Sequence, residues 1–367
     1  MKKMNVGIIG CGNISSIYME NIPGFPELEL VACSDIIMEK AEAQAKKFNV
    51  MKACTVPEIL DDPNIDIIVN LTTPQDHAEV CIQALQAGKH VHVEKPLAVT
   101  LEDGKKIVNL AQEKGLLVGG APDTFLGAGI QTALQLIEQG EIGELVGASA
   151  FLIGRGHEHW HPDPEFYYDN GGGPMFDMGP YYLTTLIALL GPIRRLSGTT
   201  RITYPERTIL SEPKAGKIMK VNTPTHISGT MDFQSGSIGT ITTSFDAFGG
   251  SSLPPIEIYG SEGTLLVPDP NTFGGPVRLR KKGEQEFVEI PLISKYHENS
   301  RGLGVLDMAR AILHGSPHRS NGELAYHVLE AMHGFHISSE KGEFYHMESS
   351  CEKPKAFDTK LHENTAN

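Results

Sequence analysis

The residues best suited to chemistry begin at the tenth position. Gly10-Cys11-Gly12-Asn13-Ile14-Ser15 follows the apolar run Val6–Ile9 and opens a helix-like segment, Ser15–Asn21. Glycines at this spacing allow a tight turn and let the backbone through Asn13 and Ile14 approach a diphosphate, whose charge rests on a helix N-terminus. Asp35, at the end of the second apolar run and about 20 residues on, can accept both hydroxyls of a ribose and would repel a 2′-phosphate. The combination predicts a dinucleotide site for NAD in preference to NADP. Aspartate also caps helices, so Asp35 could instead start a helix over residues 36–48.

A second concentration of functional groups is His157-Glu158-His159-Trp160-His161-Pro162, followed by Phe166, Tyr167 and Tyr168. Imidazoles and a carboxylate are good zinc ligands, but no second ligand cluster of recognisable spacing accompanies them, and no metal is expected. The segment carries the only tryptophan. It reads better as a carbohydrate-facing loop, in which rings stack on apolar sugar faces while Arg155, His157 and His161 bond hydroxyls.

The elements that must hold these groups change character along the chain. Up to about residue 124, short apolar runs (Asn5–Ile9, Glu29–Ser34, Ile65–Leu71, His90–Val93, Leu116–Gly119) alternate with helical patterns, which predicts βαβ units on a parallel sheet. From residue 125 to 340, β-branched alternating runs predominate: Val146–Ile153, Leu196–Thr203, Thr225–Phe233, Ser237–Phe245, Ile256–Tyr259, Thr264–Val267, Val277–Arg280 and Phe287–Ile290. These predict a large, mainly antiparallel open sheet, with an apolar helix over Pro174–Leu190 and others near Leu303–Leu313 and Gly322–Ser339. The fold class is therefore an α/β dinucleotide-binding domain (1–124) joined to an α+β substrate domain (125–340), with a polar tail (341–367).

Composition narrows the partners. The 367 residues carry a formal net charge of −14, a field that repels phosphate backbones and anionic lipid, so neither nucleic acid nor a membrane surface is an expected partner. The longest apolar run, around Tyr181 to Leu190, is about half of what a membrane span requires. Five cysteines in an odd number without CxxC spacing read as free thiols in a reducing cytoplasm, and the N-terminus lacks the apolar core of a secretory signal.

Asn70-Leu71-Thr72-Thr73-Pro74-Gln75-Asp76-His77, Ala87-Gly88-Lys89-His90-Val91-His92-Val93-Glu94-Lys95-Pro96-Leu97-Ala98 and the glycine turn together resemble the Gfo/Idh/MocA oxidoreductases, which include glucose–fructose oxidoreductase and inositol dehydrogenase. The resemblance spans about residues 4–340. It implies that Glu94 and Lys95 stand beside the nicotinamide, with Lys95 in the proton relay, and that Thr73, Pro74 and His77 contact the cofactor. The chemistry is coherent, because a carbinol that gives up a hydride must also lose its hydroxyl proton, and an amine can relay it.

Gly171-Gly172-Gly173-Pro174-Met175-Phe176-Asp177-Met178-Gly179-Pro180-Tyr181-Tyr182-Leu183-Thr184 resembles the family's substrate helix with a departure. Asp177 matches, while the usual histidine is Tyr181 and the following aspartate is Thr184. On one helix Asp177 and Tyr181 would share a face. Lys95 and Tyr181 could then divide the proton relay while Asp177 binds a sugar hydroxyl, or Tyr181 could simply pack. The resemblance implies an NAD-dependent dehydrogenase acting on a secondary hydroxyl of a sugar, glycoside or polyol, with C3 of a hexopyranoside favoured; the cysteines point to the cytoplasm and the broad face of the large sheet to a homo-oligomer. An NAD-assisted glycoside hydrolase acting through transient C3 oxidation, and a non-catalytic NAD-binding regulator, are the alternatives.

Overall fold

The computed structural model describes residues 2–358. Two compact units divide it: residues 2–127 with 298–329, and residues 128–297 with the described chain from 330 onward.

In the first unit, β1 (Met4–Ile9), β2 (Leu28–Ser34), β3 (Lys52–Cys54), β4 (Ile67–Asn70), β5 (His90–Val93) and β6 (Val118–Gly120) form one sheet in the order β3-β2-β1-β4-β5-β6. Every pairing is parallel. The connections are α1 (Ser15–Asn21), α2 (Met38–Phe48), α3 (Val56–Asp61), α4 (His77–Gln86) and α5 (Leu101–Lys114). Parallel strands need such crossovers, which cover both sheet faces, so β4 is buried at every residue and is apolar from Ile67 to Val69, with buried Asn70 at its end. Local signals set the helix ends: Thr55 and Glu58 form a reciprocal capping box on α3, and Thr100 caps α5, which stops at left-handed Gly115. Strand order reverses at β1, between β2 and β4, which opens a crevice at the carboxyl ends of β1 and β4.

The second unit is built on a nine-stranded sheet that contains all eight runs expected from the sequence. Its strands are β7 (Leu145–Ile153), β8 (Ile193–Arg201), β11 (His226–Phe233), β12 (Ile238–Ser244), β13 (Ile256–Gly260), β14 (Gly263–Val267), β15 (Val277–Lys281), β16 (Val288–Ile290) and β17 (Tyr345–His346). All its pairings are antiparallel except β7 with β12. Two short strands, β9 (Glu206–Thr208) and β10 (Ile218–Lys220), pair separately. The helices of this unit include α6 (Ala128–Glu138), α7 (Gly173–Asp177) and α8 (Gly179–Leu190).

The single helix expected over Pro174–Leu190 is two. Met178 N–H still donates to Pro174 O (3.1 Å), but Pro180 has no N–H to continue the ladder, and Tyr181 N–H restarts it on Met178 O (3.0 Å). Asp177 thus ends α7 while Tyr181 lies in the first turn of α8, and the shared-face argument for the pair does not hold. All twelve residues of α8 are buried, and among the described residues no helix is long and apolar enough to cross a membrane. The described part of the polar tail is tied down: β17 pairs with β8, and Glu330 accepts from Tyr345 Oη (3.0 Å) and from the N–H groups of Glu348 and Ser349. Residues 359–367 of that tail lie outside the described residues.

Two further helices are α9 (Leu303–His314) and α10 (Gly322–Lys341). Within the first unit, buried Asp123 accepts the N–H groups of Gly302 (2.8 Å) and Gly304 (3.0 Å) at the start of α9. Burial pushes its carboxyl up to about 6, against the pull of those two donors. Tyr296 is buried against Phe357 in the second unit, whereas the carbonyls of Asn299 and Arg301 accept from Asn21 in the first.

Candidate active site

The glycine turn of the first unit sits beside a cavity of about 470 Å³ lined by Gly10, Gly12, Asp35, Ile36, Thr72 and Thr73 among others. Gly10 has φ +101°, and a Cβ there would stand 2.5 Å from Leu71 O, so both the backbone angle and the close approach of β4 require glycine. A Cβ on Gly12 would instead point into open space, the room a diphosphate needs. Asn13 and Ile14 continue the turn. Ile14 provides no side-chain cap at the start of α1, where Ser15 N–H closes the turn on Gly12 O (3.1 Å). Ser15, at the third fingerprint position, is buried and donates to Gly12 O (2.7 Å), bracing the turn from within.

Asp35 is held by two donors, Cys11 N–H to Oδ2 (2.8 Å) and Ile37 N–H to Oδ1 (2.9 Å). Each oxygen keeps a lone pair, so the residue caps its turn and still presents a fixed acceptor pair to a ribose. Ile36 follows at 94 % exposure, an apolar surface suited to an adenine face. The turn, the open cradle and the anchored carboxylate fit a dinucleotide without a 2′-phosphate.

Beneath the cavity, buried Asn70 organises the end of β4: its Oδ1 accepts from Thr72 Oγ1 (2.7 Å) and Thr72 N–H (3.2 Å), and its amide donates to His77 O (3.0 Å). Exposed Thr73 donates to Asp76 (2.6 Å), with Pro74 between them. His77, expected among the cofactor ligands, is instead buried, with Nδ1 2.7 Å from Pro96 O and Nε2 3.2 Å from Thr72 O. Burial holds its pKa below the usual imidazole range. The neutral ring has one N–H to donate, and the shorter contact assigns it to Pro96. His77 thereby ties the loop after β4 to the loop after β5.

In that second loop Glu94 accepts from Tyr18 Oη (2.9 Å) and from Lys95 N–H (3.0 Å), and its own N–H returns to Asn70 O (2.9 Å). Tyr18 is fully buried; burial first, and the Glu94 charge second, push its phenol well above the ordinary value, so it stays a donor. The main chain at Lys95 is thus fixed on both sides, by Glu94 before it and by His77 on Pro96 after it. Neither Tyr18 nor Asn70 carries a local sequence signal of this role, since both are ordinary residues in an apolar helix and at a strand end.

In the second unit, the loop after β7 brings together most of the residues expected to face substrate. His157 Nε2 lies 2.9 Å from Asp177 Oδ2, and Trp160 Nε1–H donates to His157 Nδ1 (3.2 Å). The Tyr167 ring is 4.0 Å from the imidazole, the Phe245 ring 4.8 Å, and His161 stands edge-on to Trp160 and Tyr167. Arg155 is exposed at the start of the loop, and Tyr181 is buried in α8.

The loop rests on a guanidinium that sequence reasoning missed. Arg207, in β9, is buried; its Nη1 donates to Glu158 Oε1 (2.6 Å) and to Arg155 O (3.2 Å), and its Nη2 to Phe245 O (2.9 Å) and Asp246. Tyr168 Oη donates to Glu158 and accepts from His157 N–H (3.1 Å). Against the opposing effect of burial, Tyr168 and then the Glu158 and Asp246 carboxylates hold Arg207 above even its usual pKa. Tyr168, Ile209, Met219, Val221 and Phe245 form a small core beneath the loop. Among the described residues no group of three or more His, Cys, Asp or Glu could hold a metal ion.

The first unit, with its reversal of strand order and glycine cradle, defines an NAD-binding Rossmann-fold oxidoreductase. Residues 4–120 match the model of the oxidoreductase family with an NAD-binding Rossmann fold, and residues 130–266 match that of the GFO/IDH/MocA C-terminal domain. The chain belongs to the Gfo/Idh/MocA family of oxidoreductase enzymes.

Among curated relatives, myo-inositol 2-dehydrogenase of Thermotoga maritima is 25% identical over 72% of this chain and 75% of its own length. The 1,5-anhydro-D-fructose reductase of Ensifer adhaerens is 29% identical over 81% of this chain and 88% of its own. Among solved structures, levoglucosan dehydrogenase in complex with NADH superposes with a TM-score of 0.80 at 21% identity, covering 95% of this chain and all of that one.

Proposed function

We propose that this enzyme oxidises a secondary hydroxyl of a neutral sugar, glycoside or polyol, with C3 of a hexopyranoside as the favoured position. Bound NAD supplies the hydride acceptor. Lys95 takes up and relays the hydroxyl proton, either with the Tyr181 phenol as a second relay group or alone, with Tyr181 packing. Asp177, His157, His161 and Arg155 bond substrate hydroxyls, while Trp160 and Tyr167 offer ring faces to the sugar.

The observation that supports this reading most is the clamp on the Glu94-Lys95-Pro96 turn. Tyr18, Asn70 and His77 fix its main chain at the carboxyl end of β5, in the same unit as the dinucleotide cavity. A surface charge pair would need no such clamp. The named relatives act on inositols and anhydro sugars, and the loop aromatics suit the same substrate class.

The chain is read further as a cytoplasmic homo-oligomer. Its five cysteines are buried free thiols. One face of the large sheet carries a field of partly or fully exposed hydroxyls, including Ser197, Thr199, Ser228, Thr230 and Thr240, which suits a second copy.

The test is a panel of myo-inositol, levoglucosan and the two methyl D-glucopyranosides, followed by NADH absorbance. Lys95→Ala lowers kcat by about 10²-fold or more on any sugar oxidised; unimpaired turnover removes the central role given to Lys95. Tyr181→Phe lowers kcat by about 10²-fold if the phenol relays the proton, whereas near-wild-type turnover assigns Tyr181 to packing. A panel that yields no NADH overturns the substrate class.

A further inference from the structure

The hydrogen bonds around His157 are asymmetric in a way that bears on how substrate enters. An indole N–H can only donate, so Trp160 identifies Nδ1 as the unprotonated nitrogen of the ring, and Nε2 carries the proton given to Asp177. Both in-plane positions of the imidazole are therefore occupied by protein groups. The ring itself is fixed: Tyr168 Oη holds its main-chain N–H, Tyr167 and Phe245 pack on it, and Asp177 is only 13% exposed. Trp160, by contrast, is 54% exposed. Of the two partners of the imidazole, one is built in and the other sits at the solvent edge.

From this geometry we infer that His157 Nδ1 is a gated acceptor for a substrate hydroxyl, with the Trp160 indole as the gate that the hydroxyl displaces. The inference rests on the carbohydrate reading above and deepens it. Exchange of an N–H donor for an O–H donor at the same lone pair is close to neutral in free energy. The displaced indole is then available to stack on a C–H face, and this adds binding that the closed state lacks.

The ligand selected is one that brings a hydroxyl donor and an apolar ring face together, as a pyranose does. A carboxylate or carbonyl offers no proton to Nδ1 and meets Asp177 beyond the ring. The charged or titratable groups packed around the ring are Asp177 from α7, His161, Tyr167, Tyr168 and Glu158 from the same loop, and Arg207 from β9 acting through Glu158. Asp177 fixes the tautomer, so the lone pair faces the solvent edge and not the protein.

Trp160 is the only tryptophan, so a nitrogen-edited proton spectrum of the full chain loaded with NADH holds one indole N–H resonance. His157→Gln shifts that resonance without any sugar present. Each panel sugar that the enzyme oxidises shifts it in the wild type, in proportion to occupancy. In kinetics, His157→Gln raises KM about 5- to 10-fold, the loss of one hydrogen bond, whereas Trp160→Phe keeps a ring face and changes KM less than threefold because the acceptor stays open. A sugar that is oxidised without moving the indole resonance overturns the gate and leaves the function standing. A KM increase in Trp160→Phe equal to that in His157→Gln also overturns it. A panel that is neither oxidised nor able to move the resonance overturns the function and the gate together.

Discussion

In the first unit the dinucleotide cavity is walled by main chain: a glycine at φ +101° against Leu71 O, an open cradle at Gly12, a start of α1 without a side-chain cap, and one carboxylate at the end of β2. In the second unit the His157 cluster is a meeting of side chains from four stretches of sequence, with Asp177 on α7, Phe245 after β12, Arg207 on β9 and the rings of the loop itself. A wall of main chain is fixed wherever the strands are fixed. A cluster of side chains needs a support of its own, and here the support is one buried cation between two carboxylates.

The largest effect that would sharpen this contrast is Arg207→Met. It leaves Glu158 and Asp246 as buried charges without their cation, and stability falls by about 3–5 kcal/mol, read as a drop in the denaturation midpoint followed by Trp160 fluorescence. NAD affinity, carried by the first unit, stays unchanged. A midpoint within about 1 kcal/mol of wild type would mean that the loop does not depend on its cation.

Next is Gly10→Ala, which places a methyl group 2.5 Å from a backbone carbonyl in a left-handed conformation. The expected result by calorimetric titration is a weakening of NAD binding by about 100-fold or more, with the Trp160 signal unmoved. Retention of affinity within threefold would show that the main-chain wall is not what binds.

The smallest effect is pH-dependent and is read on the first unit through its buried histidines. Burial lowers His77 and His90, and takes His92 and His318 down to about 4. These rings are neutral when folded and charge in the unfolded chain below about 6.5, so their contribution is complete above that pH and is lost as pH falls toward 4. Asp123, raised to about 6, works in the opposite direction, losing stability as pH rises through 6. Four histidines against one acid give a first unit that weakens as pH falls from 6.5 toward 4. Denaturation followed by loss of NAD binding at pH 7 and pH 5 measures this. His92→Gln should flatten the slope; an unchanged slope would assign the acid sensitivity elsewhere.

The same contrast explains which features are legible in the amino-acid sequence. The parallel sheet, the glycine turn and Asp35 are legible because each is a local pattern imposed on consecutive residues by backbone geometry. Eight strands of the second unit are legible from alternating runs, β16 among them although only three residues of its run pair, whereas β9, β10 and β17 are two or three residues long and sit in no such run. Position 181 shows the limit most clearly. Periodicity runs on through Met178-Gly179-Pro180, and only the proline's missing N–H, a defect of one bond, separates Asp177 from Tyr181. The pairing of Asp177 with His157 instead spans twenty residues with a loop and a helix between, and no local rule points to it. His77 reads as a ligand by its place in a motif, and burial makes it a tie between loops.

The lone parallel pairing in the second sheet also orders events in time. β7 ends at Ile153, yet its two neighbours begin only at Ile238 and Ile256. At about 5–20 residues per second of synthesis, both edges of β7 wait several seconds for a partner after the first unit's six strands have all emerged. During that interval β7 has two open edges, and neither closes before residue 238 has been made.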